Sequence, residues 1–217
     1  LLASVLLDGG YLNNAICATS SHFATAERQY RYPLEQGTTR PAQSQWTVTG
    51  AGANLISRAD KGVSITAAAI GHVVDYGVTD ANNMGAAMAP AVAHTLLDFF
   101  AERKTTPAEY DLILTGDLGA LGSRLLKTLL KKKGVEINNH LDCGELIYNM
   151  DENEFQGGSG AGCSAVVFNS YIYKRMLIGD YKKVLFIATG ALMSTTSAQQ
   201  GESIPGIAHL IELEADL

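Results

Sequence analysis

Strand-like apolar runs and amphipathic helical segments alternate along residues 63–217 of this chain. Residues 112–115, 184–188 and 208–212 are short apolar runs typical of buried strands, whereas residues 84–99 repeat apolar side chains at helical spacing. Helices that connect successive strands return the chain so that the strands lie parallel and are covered on both faces. The sequence therefore predicts a layered α/β fold with parallel pairing. Further helices are expected over about 118–133 and 160–178, with a strand-like segment at 135–141.

The first 62 residues contain a second, shorter set of the same elements. Residues 14–20 form an apolar run without polar alternation, which is typical of a strand buried on both faces. A polar loop is expected from residue 22 to 45, followed by strands over 46–57 and 63–74, and Asp80 is expected to cap the long helix. The order of helix, glycine stop, strand, loop and strand recurs near the end of the chain. We expect two similar halves, divided into residues 1–62 and 63–217, and a segment that precedes the apolar helix at residue 1.

Composition excludes several classes of function. A net charge of −6 offers no basic surface for nucleic acid, so no nucleic-acid partner is expected. The three cysteines have no CxxC or Cys/His spacing, which argues against a disulfide framework and a zinc site and favours a reducing compartment. The apolar residues 1–7 are too short to span a bilayer and lack the features of a signal peptide. No metal or organic cofactor is indicated.

A glycine-rich stretch over residues 156–165 is the most informative candidate site. Gly158, Ser159, Gly160 and Cys163 lie where a loop runs into a predicted helix. Glycines allow the backbone to approach a ligand closely, and the N–H groups at the start of a helix attract anions. The alternative, which remains equally open for a glycine-rich turn, is that these glycines only permit tight packing of helix on sheet. No Gly-Lys-Ser/Thr follows, so this is not a phosphate-binding loop.

The remaining candidates follow the ends of predicted strands, because ligands of open α/β sheets bind at the carboxyl ends of parallel strands. Asp117 has this position, although an ordinary helix cap is the stronger interpretation of that residue alone. Cys143 lacks a suitably placed histidine and is expected to be structural or to contact a ligand rather than to act as a nucleophile. The other members of this group are Asp142, Gly190 and His22.

Several strings in the chain resemble the stage V sporulation protein AD family of the thiolase-like superfamily. These strings are ICATSSHFATAERQYRYPLEQGTTRP, WTVTGAGA, DANNMGAAMAPA, ILTGDLGALGS, LDCGELIYN and QGGSGAGCSAVV. The similarity covers the whole chain. It implies a layered α/β/α/β/α fold with duplicated halves, of which the first is truncated. Residues 1–62 would then be the C-terminal part of the first half, and residues 63–217 the second half.

The same resemblance implies that catalysis has been lost. In acyl-transferring relatives of the ketosynthase type, a histidine occupies the position that holds Asp117 here, and a carboxylate cannot donate a hydrogen bond to a developing oxyanion. The second donor of these relatives, an asparagine or a histidine, would fall at Gly158 or Ser159. The resemblance therefore implies that the chain is not an enzyme but a binding protein.

Dipicolinic acid is the ligand that the resemblance implies, alone or together with calcium. Asp117, Asp142 and Glu145 would repel this dianion unless they face away from it or share a calcium ion with it. Further implications are uptake of the ligand into the developing spore with membrane protein partners, a peripheral place on the cytoplasmic side of the spore inner membrane, and a homodimer paired through residues 14–20. Two alternatives stay open: an active acyl-transferring enzyme whose nucleophile lies upstream, and a purely structural scaffold.

Overall fold

The computed structural model of the chain describes residues 1–26, 41–59, 61–149 and 156–216. Most of the polar loop predicted over 22–45, and part of the loop predicted before residue 160, lie outside the described residues. The described strands are β1 (Asn14–Ser21), β2 (Trp46–Thr47), β3 (Gly50–Ser57), β4 (Gly62–Ala69), β5 (Leu112–Thr115), β6 (His140–Asp142), β7 (Gly158–Ser159), β8 (Lys183–Ala191) and β9 (Gly206–Asp216). The described helices are α1 (Leu2–Asp8), α2 (Phe23–Ala26), α3 (Met84–Arg103), α4 (Gly119–Lys132), α5 (Cys143–Leu146), α6 (Ala161–Val167), α7 (Tyr173–Leu177) and α8 (Thr195–Gln199).

A five-stranded sheet in the order β4-β9-β8-β5-β6 forms the centre of the molecule. Strands β8, β5 and β6 pair in parallel, but β4 and β9 run antiparallel to their neighbours. The predicted parallel pairing is therefore wrong for β4 and β9. The connection from β8 to β9 spans residues 192–205 and contains the five-residue helix α8, and the chain returns along β9 in the opposite direction.

Both faces of this sheet are buried, as the sequence predicts. In β5 the side chain of Ile113 packs on the face covered by α3 and α4, whereas Leu112 and Leu114 pack on the opposite face. That opposite face is covered by the helical segment from α6 to α7, whose Ile172 and Met176 are fully buried. Alternation of side chains along an extended strand accounts for the two separate apolar layers.

The long helix α3 begins later than the sequence suggests. Asn83 is its N-cap, and the side chain of Asn83 accepts a hydrogen bond from the amide of Ala86 at 3.2 Å. Asp80 instead accepts from the amide of Asn82 at 2.9 Å, so the prediction that Asp80 caps the helix is wrong. In length and composition α3 could cross a membrane, but 67% of its most apolar stretch is buried inside the protein. These are the properties of a core helix.

Strands β1 and β3 form a separate antiparallel pair that lies on the other side of α6. Helix α6 is thus enclosed between two β layers, which gives the layer order helix, sheet, helix, sheet. Strand β1 is largely exposed, with Ile16 at 75% exposure, so the prediction of a strand buried on both faces is wrong. Among the described residues only one face of β1 is covered, by α6.

The predicted strand over residues 46–57 is divided into two strands with different partners. Its first part, β2, pairs in parallel with β7 in the glycine-rich loop, and its second part, β3, pairs with β1. The amides of Trp46 and Val48 donate to the carbonyls of Gly157 and Ser159, at 2.8 and 2.9 Å. The early segment of the chain therefore holds the glycine-rich loop in place.

Candidate functional site

A cavity of about 1040 Å³ lies at the carboxyl ends of β5 and β8, where α2, β3 and the start of α6 meet. This is the position at which open α/β sheets bind ligands. Of the predicted site residues, the structure brings together His22, Asp117, Ser159, Gly160 and Gly190 in the cavity lining. It places Asp142, Cys143, Gly158 and Cys163 in the buried layer away from that lining.

Asp117 connects three segments of the cavity wall. Its carboxylate accepts a hydrogen bond from the amide of Gly160 at 2.9 Å and another from the hydroxyl of Thr189. In return, the amide of Asp117 donates to the Thr189 hydroxyl at 3.0 Å. The segment after β5, the end of β8 and the start of α6 are therefore tied together at the cavity surface by one side chain.

The backbone donors of the glycine-rich loop already have acceptors within the protein. The amide of Gly160 donates to Asp117, and the amide of Gly162 donates to the Ser21 hydroxyl at 3.0 Å. Ser21 in turn donates to the carbonyl of Val48 at 2.6 Å. Ligand binding was one of the two interpretations of these N–H groups that the sequence left open, and the structure uses two of the groups to join α6 to Asp117 and to β1.

Asp142 is a fully buried carboxylate that organises the segments beneath the cavity. It accepts hydrogen bonds from the Thr115 hydroxyl at 2.6 Å and from the amides of Leu118 and Gly119 at 2.8 and 2.9 Å. Burial raises the pKa of Asp142 to about 7, against the lowering effect of these hydrogen bonds. Asp142 thus holds residues 115–119, the turn that contains Asp117, in place.

His140 completes this buried network. The hydroxyl hydrogen of Thr115 goes to Asp142, so Thr115 accepts from His140 Nε2 at 2.9 Å, which requires the tautomer protonated on Nε2. Burial lowers the pKa of His140 to about 4, and the charge of Lys127 adds to this effect. His140 is therefore a neutral structural donor near pH 7.

The two candidate cysteines are inaccessible. Cys143 and Cys163 are both fully buried in the same apolar cluster as Leu114. Burial raises the pKa of each thiol well above its usual range, and the charges of Asp142 and Asp117 raise it further. Because the thiolate is the reactive form, neither thiol is suited to nucleophilic attack.

Gly158 serves packing rather than access to the cavity. A Cβ atom at this position would lie 2.6 Å from Cγ2 of Ile147 and 2.9 Å from Cγ2 of Val48. Gly160 differs, because its φ of +101° is a conformation that other residues rarely adopt. Close packing therefore accounts for glycine at position 158, and backbone conformation accounts for glycine at position 160.

Sequence reasoning missed Gln45, which is a buried bridge between two loops. Its Nε2 donates to the carbonyl of Asp117 at 2.7 Å and to that of Gly158 at 2.8 Å. These partners are 72 and 113 positions away in sequence, and no local pattern marks the residue. Gln45 links the segment that carries Asp117 to the glycine-rich loop.

The rest of the cavity wall combines polar and apolar side chains. Eight hydroxyl groups line it and come from Ser20, Ser21, Thr25, Thr47, Thr49, Ser159, Ser164 and Thr189. Met84, Met88 and Met193 also line it, and the first two belong to the helical repeat that the sequence shows. The rings of Phe23 and Trp46 stack at 4.7 Å and fix the start of α2, which contains Thr25 and directly follows His22. Within the described ranges, no group of three or more His, Cys, Asp or Glu residues is arranged to hold a metal ion.

A family model described as Stage V sporulation protein AD matches residues 1–214 of the chain. The Stage V sporulation protein AD of Bacillus subtilis (strain 168) is 50% identical over 214 residues. The matched region covers 98% of this chain but only 63% of the Bacillus protein. The chain therefore spans less than two thirds of the length of this relative.

Several solved structures share the fold. A 3-oxoacyl-acyl-carrier-protein synthase III from Aquifex aeolicus VF5 has a TM-score of 0.56 at 11% identity, covering 98% of this chain and 61% of that one. An OleA variant of Xanthomonas campestris bound with cerulenin has a TM-score of 0.59 at 12% identity, covering 98% and 58%. The tetronic acid condensing enzyme AbyA1 has a TM-score of 0.56 at 12% identity, covering 99% and 63%. These similarities confirm the predicted thiolase-like α/β fold.

Proposed function

This chain belongs to the stage V sporulation protein AD family, and we propose that it binds the dianion of dipicolinic acid in the cavity without transforming it chemically. The observation that carries the proposal is the composition of the cavity wall. Hydroxyl donors and methionines both line the cavity, and Asp117, the one carboxylate among its described lining residues, is already hydrogen-bonded within the protein.

A wall that contains both hydroxyls and methionines suits a flat aromatic ring that carries two carboxylates. The hydroxyls of Thr25, Thr49 and Ser164 can donate to carboxylate oxygens, and hydrogen bonds to a charged acceptor are stronger than neutral ones. Methionine side chains adapt to aromatic faces and make favourable sulfur–aromatic contacts. A small ligand with one apolar face and a polar edge would satisfy both kinds of side chain.

The carboxylates expected to repel such a ligand are placed so that most of them do not face it. Asp142 is buried beneath the cavity and neither it nor Glu145 belongs to the lining. Asp117 does border the cavity, but two donors offset part of its charge. The sequence left two options open for these carboxylates: they face away from the ligand, or they share a calcium ion with it. We therefore propose the first.

Absence of catalysis is part of the proposal. Cys143 and Cys163 are buried with raised pKa values, and Asp117 accepts hydrogen bonds where an oxyanion hole would have to donate them. The competing proposal, an acyl-transferring enzyme, is favoured by the fold shared with condensing enzymes. Measuring the turnover of an acyl-thioester separates the two proposals.

The cellular role that we propose follows from the family. The protein would assist the uptake of dipicolinic acid into the developing spore together with membrane proteins, as a peripheral homodimer on the cytoplasmic side of the inner membrane. Strand β1 supports the dimer, because within the described chain it pairs only with β3 and leaves Ile16 exposed.

Calorimetric titration of the full-length protein with dipicolinate tests the binding proposal. Replacing Ala161, an exposed residue of the lining, by Phe should fill the cavity and reduce affinity at least tenfold while leaving the fold intact. The matched control is Ala101→Phe, at an exposed position of α3 outside the lining. The proposal fails if the parent releases no heat of binding, or if folded Ala161→Phe binds as tightly as the parent.

A further inference from the structure

We propose that Asp117 is a tethered carboxylate that fills a carboxylate subsite of the cavity and thereby decides where the carboxylates of a ligand can bind. The inference rests on the proposed function for the identity of the ligand, but the subsite itself is a property of the chain. It makes Asp117 a specificity-determining residue rather than a catalytic one.

Two donors from different elements converge on the Asp117 carboxylate. One is the amide of Gly160, at 2.9 Å, and the other is the hydroxyl of Thr189. Neither donor depends on Asp117 alone for its position. Gly160 is held at φ +101° between β7 and α6, and Thr189 lies within β8, where it pairs with Ala208 of β9. Removing the carboxylate would therefore leave two aimed donors at the surface of the cavity.

Asp117, Gly160 and Thr189 all line the cavity, so a free carboxylate could reach the same donors. In the parent protein the Asp117 carboxylate occupies that subsite, and its negative charge repels a second anion. The carboxylates of dipicolinate are consequently directed to other hydroxyls of the lining, those of Thr25, Thr49 and Ser164. Asp117 thus sets the orientation of the ligand and limits its affinity.

Chemical rescue tests the subsite without dipicolinate. Asp117→Gly should lower the midpoint of thermal unfolding of the full-length protein. Acetate on the order of 0.1 M should raise that midpoint by roughly 3 °C relative to equal chloride, because it refills the vacated position. Acetate should leave the parent unchanged. If Asp117→Gly does not fold, Asp117→Ala with formate takes its place.

Asp75 provides a matched control. Its carboxylate also accepts from one hydroxyl, that of Ser203 at 2.6 Å, and from one glycine amide, that of Gly77 at 2.8 Å. Asp75 is exposed and lies outside the cavity lining, so water can replace it. Acetate should therefore not rescue Asp75→Gly. Equal rescue of both variants, or rescue of neither, overturns the inference.

Titration with dipicolinate separates the inference from the proposed function. Asp117→Asn keeps the size of the side chain but removes its charge, and it should bind dipicolinate about tenfold more tightly than the parent. Equal or weaker binding by folded Asp117→Asn overturns the role of Asp117 in specificity. If acetate rescues Asp117→Gly but the parent does not bind dipicolinate, the subsite stands and the proposed ligand is wrong.

Discussion

Thr189 and Asp117 hold each other in both directions: the Asp117 amide donates to the Thr189 hydroxyl at 3.0 Å, and that hydroxyl donates back to the Asp117 carboxylate. Asp117 follows β5, and Thr189 lies near the end of β8, the parallel neighbour of β5. These two hydrogen bonds join the segment after β5 to the end of β8 at the cavity, and they keep the Asp117 carboxylate directed towards Gly160.

Replacing Thr189 by Val should destabilise the protein by about 1–3 kcal/mol, because it leaves the Asp117 amide without its acceptor and removes one donor from the carboxylate. Thr189→Ser keeps the hydroxyl and should lose much less stability. Urea unfolding of both variants measures the difference. Equal stability of the two would show that the reciprocal pair does not contribute.

The buried pair Asp142 and His140 should give opposite contributions to the pH dependence of stability. Burial raises the pKa of Asp142 from 3.8 to about 7, so its contribution is fully present below pH 3.8 and is lost as the pH rises through 7. Burial lowers the pKa of His140 from 6.5 to about 4, so its contribution is present above pH 6.5 and is lost as the pH falls through 4. Between pH 4 and 6.5 the two largely cancel.

Single substitutions should reveal how much each residue contributes to the free energy of unfolding, which is on the order of 3 kcal/mol. On acidification from pH 7 to 4, the free energy of unfolding of Asp142→Asn should fall relative to the parent, since only the His140 contribution remains. That of His140→Gln should rise relative to the parent. Urea unfolding at several pH values checks both slopes. Variants that keep the pH profile of the parent would show that these groups do not titrate as burial predicts.

Thiol labelling should distinguish the three cysteines. Cys17 is exposed on β1, whereas Cys143 and Cys163 are buried with raised pKa values. A thiol reagent at pH 8 should modify one cysteine per chain in the native protein and all three after denaturation. Rapid native labelling of Cys143 would contradict its buried placement.

The proposed homodimer should depend on the exposed face of β1 and β3. Ile16 lies opposite Leu55 in this pair, and the two side chains are 75% and 67% exposed. In the full-length protein Ile16→Lys should shift the sedimentation coefficient to that of a monomer at micromolar concentration. Ile70→Lys, at a position 72% exposed outside this pair, should remain dimeric. A parent that sediments as a monomer would rule the dimer out.

The spacing of apolar residues along the sequence was sufficient to predict the elements that bury a continuous apolar face. The helical repeat that includes Met88, Val92 and Leu96 placed α3 in the core, and the apolar run of β5 placed this strand in the sheet. The position of Asp117 at the cavity also followed from sequence, because parallel strands share one rim at their carboxyl ends. These features depend only on the spacing of residues along one segment.

The direction of strand pairing could not be read in the same way. Strands β4 and β9 were read as strands of a parallel sheet, because the apolar composition of a strand does not reveal the direction of its partners. Only the tertiary structure shows the direction of pairing, and the short helix α8 between β8 and β9 was not recognised in the sequence. Exposure of β1 likewise depends on which layers cover it, not on its own residues.

By itself the sequence determined the family, the α/β class and the group of residues that meet at the sheet rim. Only the tertiary structure decided which polar groups face the cavity and which are already paired. The Gly160 amide is paired with Asp117, the Gly162 amide with Ser21, and Gln45 joins loops more than seventy positions away. The physical reason is that hydrogen bonds between distant segments form wherever packing brings donor and acceptor within about 3 Å, and no local periodicity encodes that distance.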